Sequence, residues 1–154
     1  MVEFALIAPM FFIILFAIIE GARFVFYNEM LNNATREGAR YAIVHGANTF
    51  DTCRSGPTPG GVTPCDIEGE DVREAVRTAA ISLISTGDLS IPKPVWTPAG
   101  SALPPDGAAG GSASPGNNSR GSYVTVFVNY TYSPLIPILP SITISARSSL
   151  VINN

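Results

Sequence analysis

The sequence predicts an α+β chain: a long N-terminal helix, half of it transmembrane, then a second helix packed on a small antiparallel sheet. Three observations lead there. An uncharged apolar run fills Phe4 to Ile19. Apolar and small residues then recur at helical spacing, from Tyr27 to Tyr41 and again from Val72 to Ile84. Two C-terminal segments alternate apolar and polar residues with the period of a half-buried strand. Helices followed by a run of strands define the α+β class.

The apolar run has 16 residues (FALIAPMFFIILFAII) and is too greasy for an exposed helix of a soluble domain. As a helix it covers ~24 Å, slightly short of a ~30 Å hydrocarbon core. Continued through Arg23 to Tyr27, with Arg23 snorkelling, the span becomes adequate. A cleaved secretory signal would begin with basic residues and close on a small-residue cleavage site. Here the start carries Glu3, and Phe24-Val25-Phe26-Tyr27 follows without such a site, so a retained helix is expected. Pro9 within the run predicts a kink.

Beyond the membrane run, Tyr27, Leu31, Ala34, Gly38 and Tyr41 form a stripe in steps of four and three. Asn28, Glu29, Asn32, Asn33, Arg36 and Glu37 fall on other faces, and Gly46 after His45 is the expected stop. One helix of about 40 residues, ~60 Å long, is therefore half in lipid and half in the domain. This divides the chain into an N-terminal helix, 1–45, and an α+β domain, 46–154. A second helix is expected from Gly69 to Thr86, with Val72, Ala75, Val76, Ala79, Ala80, Leu83 and Ile84 on one face and Gly87 ending it. Glu68, Glu70 and Asp71 suit the positive end of its dipole. The cluster lacks the Asp-x-Asp-x-Asp spacing of a cation loop, so it reads as a charged first turn and no metal is expected.

Three strands follow. Leu89 to Thr97 is interrupted by Pro92 and Pro94, which confines it to a sheet edge. Tyr123 to Tyr132 places Val124, Val126, Val128, Tyr130 and Tyr132 on one face. Ile142 to Ile152 does the same for Ile142, Ile144, Ala146, Leu150 and Ile152. Pro98 to Gly121 is rich in Gly, Ala, Ser and Pro and predicts a mobile loop dispensable for folding. Ser133 to Pro140 is a proline-braced apolar connection, too broken for a strand and too apolar for free solvent.

The net charge of −3, from nine basic and twelve acidic groups without a basic cluster, argues against nucleic-acid binding. Cys53 and Cys65 flank a Gly/Pro loop. Their spacing is not that of a zinc site, and His45 is the only histidine, so a disulfide is the expected reading. It would add ~2–3 kcal/mol by closing a short loop and would place the domain outside the cytoplasm. Arg23, Arg36 and Arg40 pull the other way under the positive-inside rule, and the acidic start suggests a basic leader upstream of Met1. The cysteines are given the greater weight. No nucleophile–base pair, phosphate loop or dinucleotide fingerprint is present; Gly107 to Gly111 lies in a loop. No enzymatic activity, cofactor or small-molecule substrate is expected.

Val2-Glu3-Phe4-Ala5-Leu6 with Pro9, then Arg36-Glu37-Gly38-Ala39-Arg40-Tyr41-Ala42, and finally Tyr132-Ser133-Pro134-Leu135 form a recognisable set. The chain resembles the TadE-like family of pseudopilins, minor components of tight-adherence pilus systems in the type IV filament superfamily. The first block is the most specific, and the rest agrees in layout. The resemblance implies a pilin-like fold and a structural role in pilus assembly through helix–helix packing. Its implied partners are other pilin subunits, an inner-membrane assembly platform and lipid around the first helix. The implied location is the inner membrane with an extracytoplasmic domain, or the extracellular pilus. In pilin-like proteins a carboxylate beside the apolar run is thought to pair with the N-terminal amine of a neighbouring subunit, and Glu3 would inherit that role. The plainer alternative is an interfacial acid. Glu3, Phe4, Leu6, Phe11, Phe12 and Leu15 are the expected subunit interface, and Glu20 and Arg23 are expected to pair with each other. No cleavage glycine precedes Glu3, so either the chain is trimmed or it is anchored without processing. The competing reading is a membrane-anchored extracytoplasmic binding module that never enters a filament.

Overall fold

The first helix does not end where the apolar run ends. In the computed structural model, which describes residues 2–46, 56–57, 66, 68–80, 87–104, 117–135 and 140–153, α1 runs unbroken over Val2–Val44, with Pro9 inside it. At 43 residues it is ~64 Å long. Its last turn is closed by His45, whose N–H donates to the Tyr41 carbonyl at 3.1 Å while its ring stacks on Tyr41 at 4.0 Å. Gly46 does not supply the left-handed stop expected of it: among the described residues the positive-φ glycines are Gly56, Gly69, Gly100 and Gly121. Gly46 is buried, and a Cβ there would lie 3.2 Å from Ile152 Cγ2, so its smallness serves packing.

The second helix, α2, spans Glu70–Ala80 and buries Val72, Val76 and Ala80. The remainder of the expected helix, residues 81–86, lies outside the described residues. Four strands follow: β1 (Leu89–Ser90), β2 (Val95–Thr97), β3 (Tyr123–Tyr132) and β4 (Ile142–Val151). β3 is the centre of the sheet, paired antiparallel with β4 along its whole length, from Tyr123↔Val151 to Tyr132↔Ile142. Its other edge carries β1 at Tyr130 and Asn129 and β2 at Thr125 to Tyr123. The expected proline-broken edge strand is therefore two short pieces. Between them Ile91 to Pro94 face Val126 to Val128, four residues against three, which is the count of a bulge.

The expected inner face of β3 is realised, although burial does not alternate along the strand, since Thr125 and Phe127 on its other face are buried too. Val124, Val126, Val128, Tyr130 and Tyr132 are all buried on the face toward α1, matched on β4 by Ile144 and Ala146. Ile142 departs from its expected inward place and is 49% exposed. It pairs with Tyr132 at the end of the sheet nearest the membrane run, beyond the reach of the domain core. The C-terminal half of α1 lies between the sheet and α2. A Cβ on Gly38 would stand 2.2 Å from Val76 Cγ2 and 3.5 Å from Val126 Cγ1. Packing of α2 toward the sheet is thus mediated largely by α1, with Arg73 Nε donating directly to the Ile91 carbonyl at 2.8 Å.

The C-terminal flank of the expected loop 98–121 is built into the domain. Asn118 is fully buried and its N–H donates to the Pro57 carbonyl at 2.7 Å. Gly121 donates to Ile152 at 2.8 Å, and Ile152 donates back to Ser122. Residues 105–116 of that loop, and both Cys53 and Cys65, lie outside the described residues.

Candidate assembly and membrane-contact helix

From Phe4 to Ile19 α1 touches almost nothing in its own chain. Phe4 is 77% and Leu6 78% exposed, and Ile7, Met10, Phe11, Phe12, Ile13, Ile14, Phe16 and Ile18 are exposed as well. These residues point in every direction around the axis, so no single groove in one partner could cover them. With the turns that follow this run, the helix is long and apolar enough, by length and composition, to cross a membrane. Of the residues singled out from sequence, Glu3, Phe4, Leu6, Phe11 and Phe12 are exposed and Leu15 is half-buried. Phe4, Phe11 and Leu15 share one stripe of the helix and Leu6 lies nearly opposite, so they form no single patch.

Where the apolar run meets the domain, a polar and aromatic cluster ties the two together. Glu20, the first charged residue after the run, accepts a hydrogen bond from the Tyr132 hydroxyl. Its carboxylate also lies 3.4 Å from the Leu135 backbone N–H and 3.5 Å from Arg23 Nη1. The Arg23 guanidinium in turn sits over the Tyr27 and Tyr132 rings, at 5.9 and 5.6 Å. Phe24 meets Tyr132 edge-on at 5.8 Å, and Tyr27 lies 5.3 Å from Tyr130. Burial, reinforced by the hydrogen bond to Glu20, pushes the Tyr132 phenol up to about 12. Burial also raises Tyr130.

The expected Glu20–Arg23 pair is present, but the larger role of Glu20 escapes a sequence reading, because its partner lies 112 residues away. The only local signal was a carboxylate at the edge of an apolar run, which requires a partner somewhere. Trp96 was also missed. It is buried against two glycines: a Cβ on Gly56 would lie 2.3 Å from its ring, and one on Gly69 2.7 Å. The acids before α2 have structural partners. Asp66 Oδ2 accepts from the Asp71 N–H at 2.8 Å, and Glu68 pairs with Lys93 at 2.7 Å. That ion pair draws the Glu68 carboxyl below its usual value.

Residues 1–40 match the family model of TadE-like protein. Over that segment the chain is similar to TadE-like proteins. The matched segment takes in the whole apolar run, the Glu20 junction and Gly38, where α1 meets Val76 of α2. The match supports a protein associated with a tight-adherence pilus, and together with the exposed apolar helix it supports membrane anchoring. No curated protein and no solved structure matches the chain.

Proposed function

We propose that the chain is a minor pilin or pseudopilin of a tight-adherence, type IV-like pilus, with no enzymatic activity. The observation that carries this reading is the TadE-like helix itself, exposed over Phe4 to Ile19 and continuous with the helix at the centre of the domain. A helix apolar on all faces is buried either in lipid or among other apolar helices, and a filament core offers the second. The run sits in the inner membrane before assembly and against neighbouring pilin helices afterwards, while the domain stays outside the cytoplasm. Its partners are other pilins and the inner-membrane assembly platform.

Glu3 sets register. Apolar surface is common to every stagger of packed helices, whereas a charge pair distinguishes one. Glu3→Ala is expected to leave the protein folded and membrane-inserted while reducing pilus formation and co-purification with other pilins. Normal piliation in that variant removes the register role. Intact pili after deletion of the whole gene would sink the pilin reading and leave the membrane-anchored binding module as the better account.

A further inference from the structure

The end of the sheet nearest the membrane run carries an apolar groove that the assembly role does not use. Its α1 wall is Ala17, Gly21 and Phe24, with Glu20 at its polar rim, and its other wall is Pro134, Pro140 and Ile142, with Tyr132 behind. The cavity measures about 350 Å³. On α1 these positions recur at i, i+3, i+4 and i+7, so the groove runs along one face of the helix. At Gly21 there is open space, since a Cβ there would meet nothing within 4 Å.

Its depth is fixed by the helix. Ala17 belongs to the apolar run and Gly21 to Phe24 to the turns that complete the span to Tyr27, with Arg23 snorkelling, so the groove lies in the last turns below the level at which hydrocarbon gives way to headgroups. Hydrogen bonding of Tyr132 and Leu135 to Glu20 holds the end of β3 at that same level. Beside the groove Leu135 is 65% exposed and Ile142 49%, large apolar side chains presented outward at this end of the domain. Tyr132, whose hydroxyl donates to Glu20, closes the back of the groove.

We infer that this end of the sheet is a second membrane contact: Leu135 and Ile142 enter the interface, and the groove between α1 and Ile142 takes a phospholipid acyl chain. The inference rests on α1 spanning the bilayer and on nothing about filament assembly. The domain then lies against the membrane surface in one fixed orientation rather than hanging freely from its anchor.

Tryptophan quenching by brominated phosphatidylcholine tests this on the full chain in vesicles. The native Trp96 is buried inside the domain and supplies an internal unquenched signal. Leu135→Trp, at an exposed position that tolerates the larger ring, is expected to lose roughly half of its added emission to bromines near the headgroups, as interfacial insertion of ~5–10 Å requires. Phe12→Trp, in the run itself, is expected to be quenched best by bromines deep in the chain. Quenching of Phe12→Trp without quenching of Leu135→Trp overturns the second contact and leaves the anchor standing. An unquenched Phe12→Trp overturns the span and this inference with it. Quenching of Leu135→Trp that falls as protein density rises assigns the groove to a second copy of the chain and likewise overturns it.

Discussion

Gly38 and Tyr132 are the two residues at which single atoms decide how α1 joins the rest of the molecule. At Gly38 the helix propensity of Ala favours substitution by about 1 kcal/mol. Against it stands a Cβ placed 2.2 Å from Val76 Cγ2, on a β-branched side chain that is fully buried and has little rotamer freedom. Overpacking of this kind costs about 1–3 kcal/mol, so the clash should win and Gly38→Ala should lower the melting temperature of the detergent-solubilised chain. Gly21→Ala is the control: with nothing within 4 Å of the new Cβ it should be neutral or slightly stabilising. Equal melting temperatures for the two variants would show that α1 and α2 pack less closely at Gly38.

Tyr132→Phe keeps the ring but removes the hydroxyl that Glu20 accepts from, and should cost about 1.5–3 kcal/mol, the range for a hydrogen bond to a charged group. The same contact predicts an alkaline transition. Below pH 10 the phenol is protonated in both folded and unfolded chains, and its contribution is complete. Above that, the unfolded chain gives up the proton first, because the folded phenol holds it to about 12. Stability should therefore fall from pH 10 to 12, by up to about 1.4 kcal/mol per pH unit for this group. The slope should be shallower in Tyr132→Phe, with the raised Tyr130 accounting for what remains. A tyrosinate absorbance titration of the folded chain in which all five tyrosines ionise at the ordinary value would refute it.

Among the elements, those governed by local periodicity were legible in the sequence. The bounds of β3 and its inner face follow from alternation, which does not foretell that Thr125 and Phe127 on the other face are buried too, and the C-terminal stripe of α1 follows from steps of three and four. Pro92 and Pro94 foretold the broken edge because a proline removes the donor that a central strand needs. What stayed hidden depends on the packing of distant segments. Composition marks 98–121 as a loop, yet Asn117 to Gly121 turns back into the domain through backbone bonds to Pro57 and Ile152, which no composition encodes. Gly46 read as a helix stop but is required by the approach of Ile152. This separates two excisions. Replacing 105–116 by a short Gly-Ser linker should leave the melting temperature nearly unchanged, since that stretch is too poor in large apolar residues to offset its ordering entropy. Extending the cut through Gly121 should cost about 2 kcal/mol or more, from two backbone hydrogen bonds at about 1 kcal/mol each and the exposure of Asn118's site. Equal losses from both cuts would contradict the division.

At the scale of the whole molecule, α1 is the one element shared by anchor and domain, so which side of the membrane the domain occupies is settled by how that helix inserts. Two features of the chain give opposite answers. Arg23, Arg36 and Arg40 follow the apolar run, and loops rich in arginine are retained on the cytoplasmic side. Arg36 and Arg40, however, belong to a helix already committed to the domain, where Arg40 pairs with Glu37 at 3.9 Å, and Arg23 is held among aromatic rings at the junction. The placement of Arg23 therefore has a folding reason that owes nothing to insertion. Cys53 and Cys65, the chain's two cysteines, flank a Gly/Pro loop without the spacing of a zinc site, and a disulfide between them persists only in an oxidising compartment. Mass spectrometry of the non-reduced protein from its native membrane should find the pair oxidised, and a membrane-impermeant thiol reagent should label it on intact cells only after reduction. Two free thiols in the native protein would remove the disulfide, and with it the strongest reason for placing the domain outside the cytoplasm.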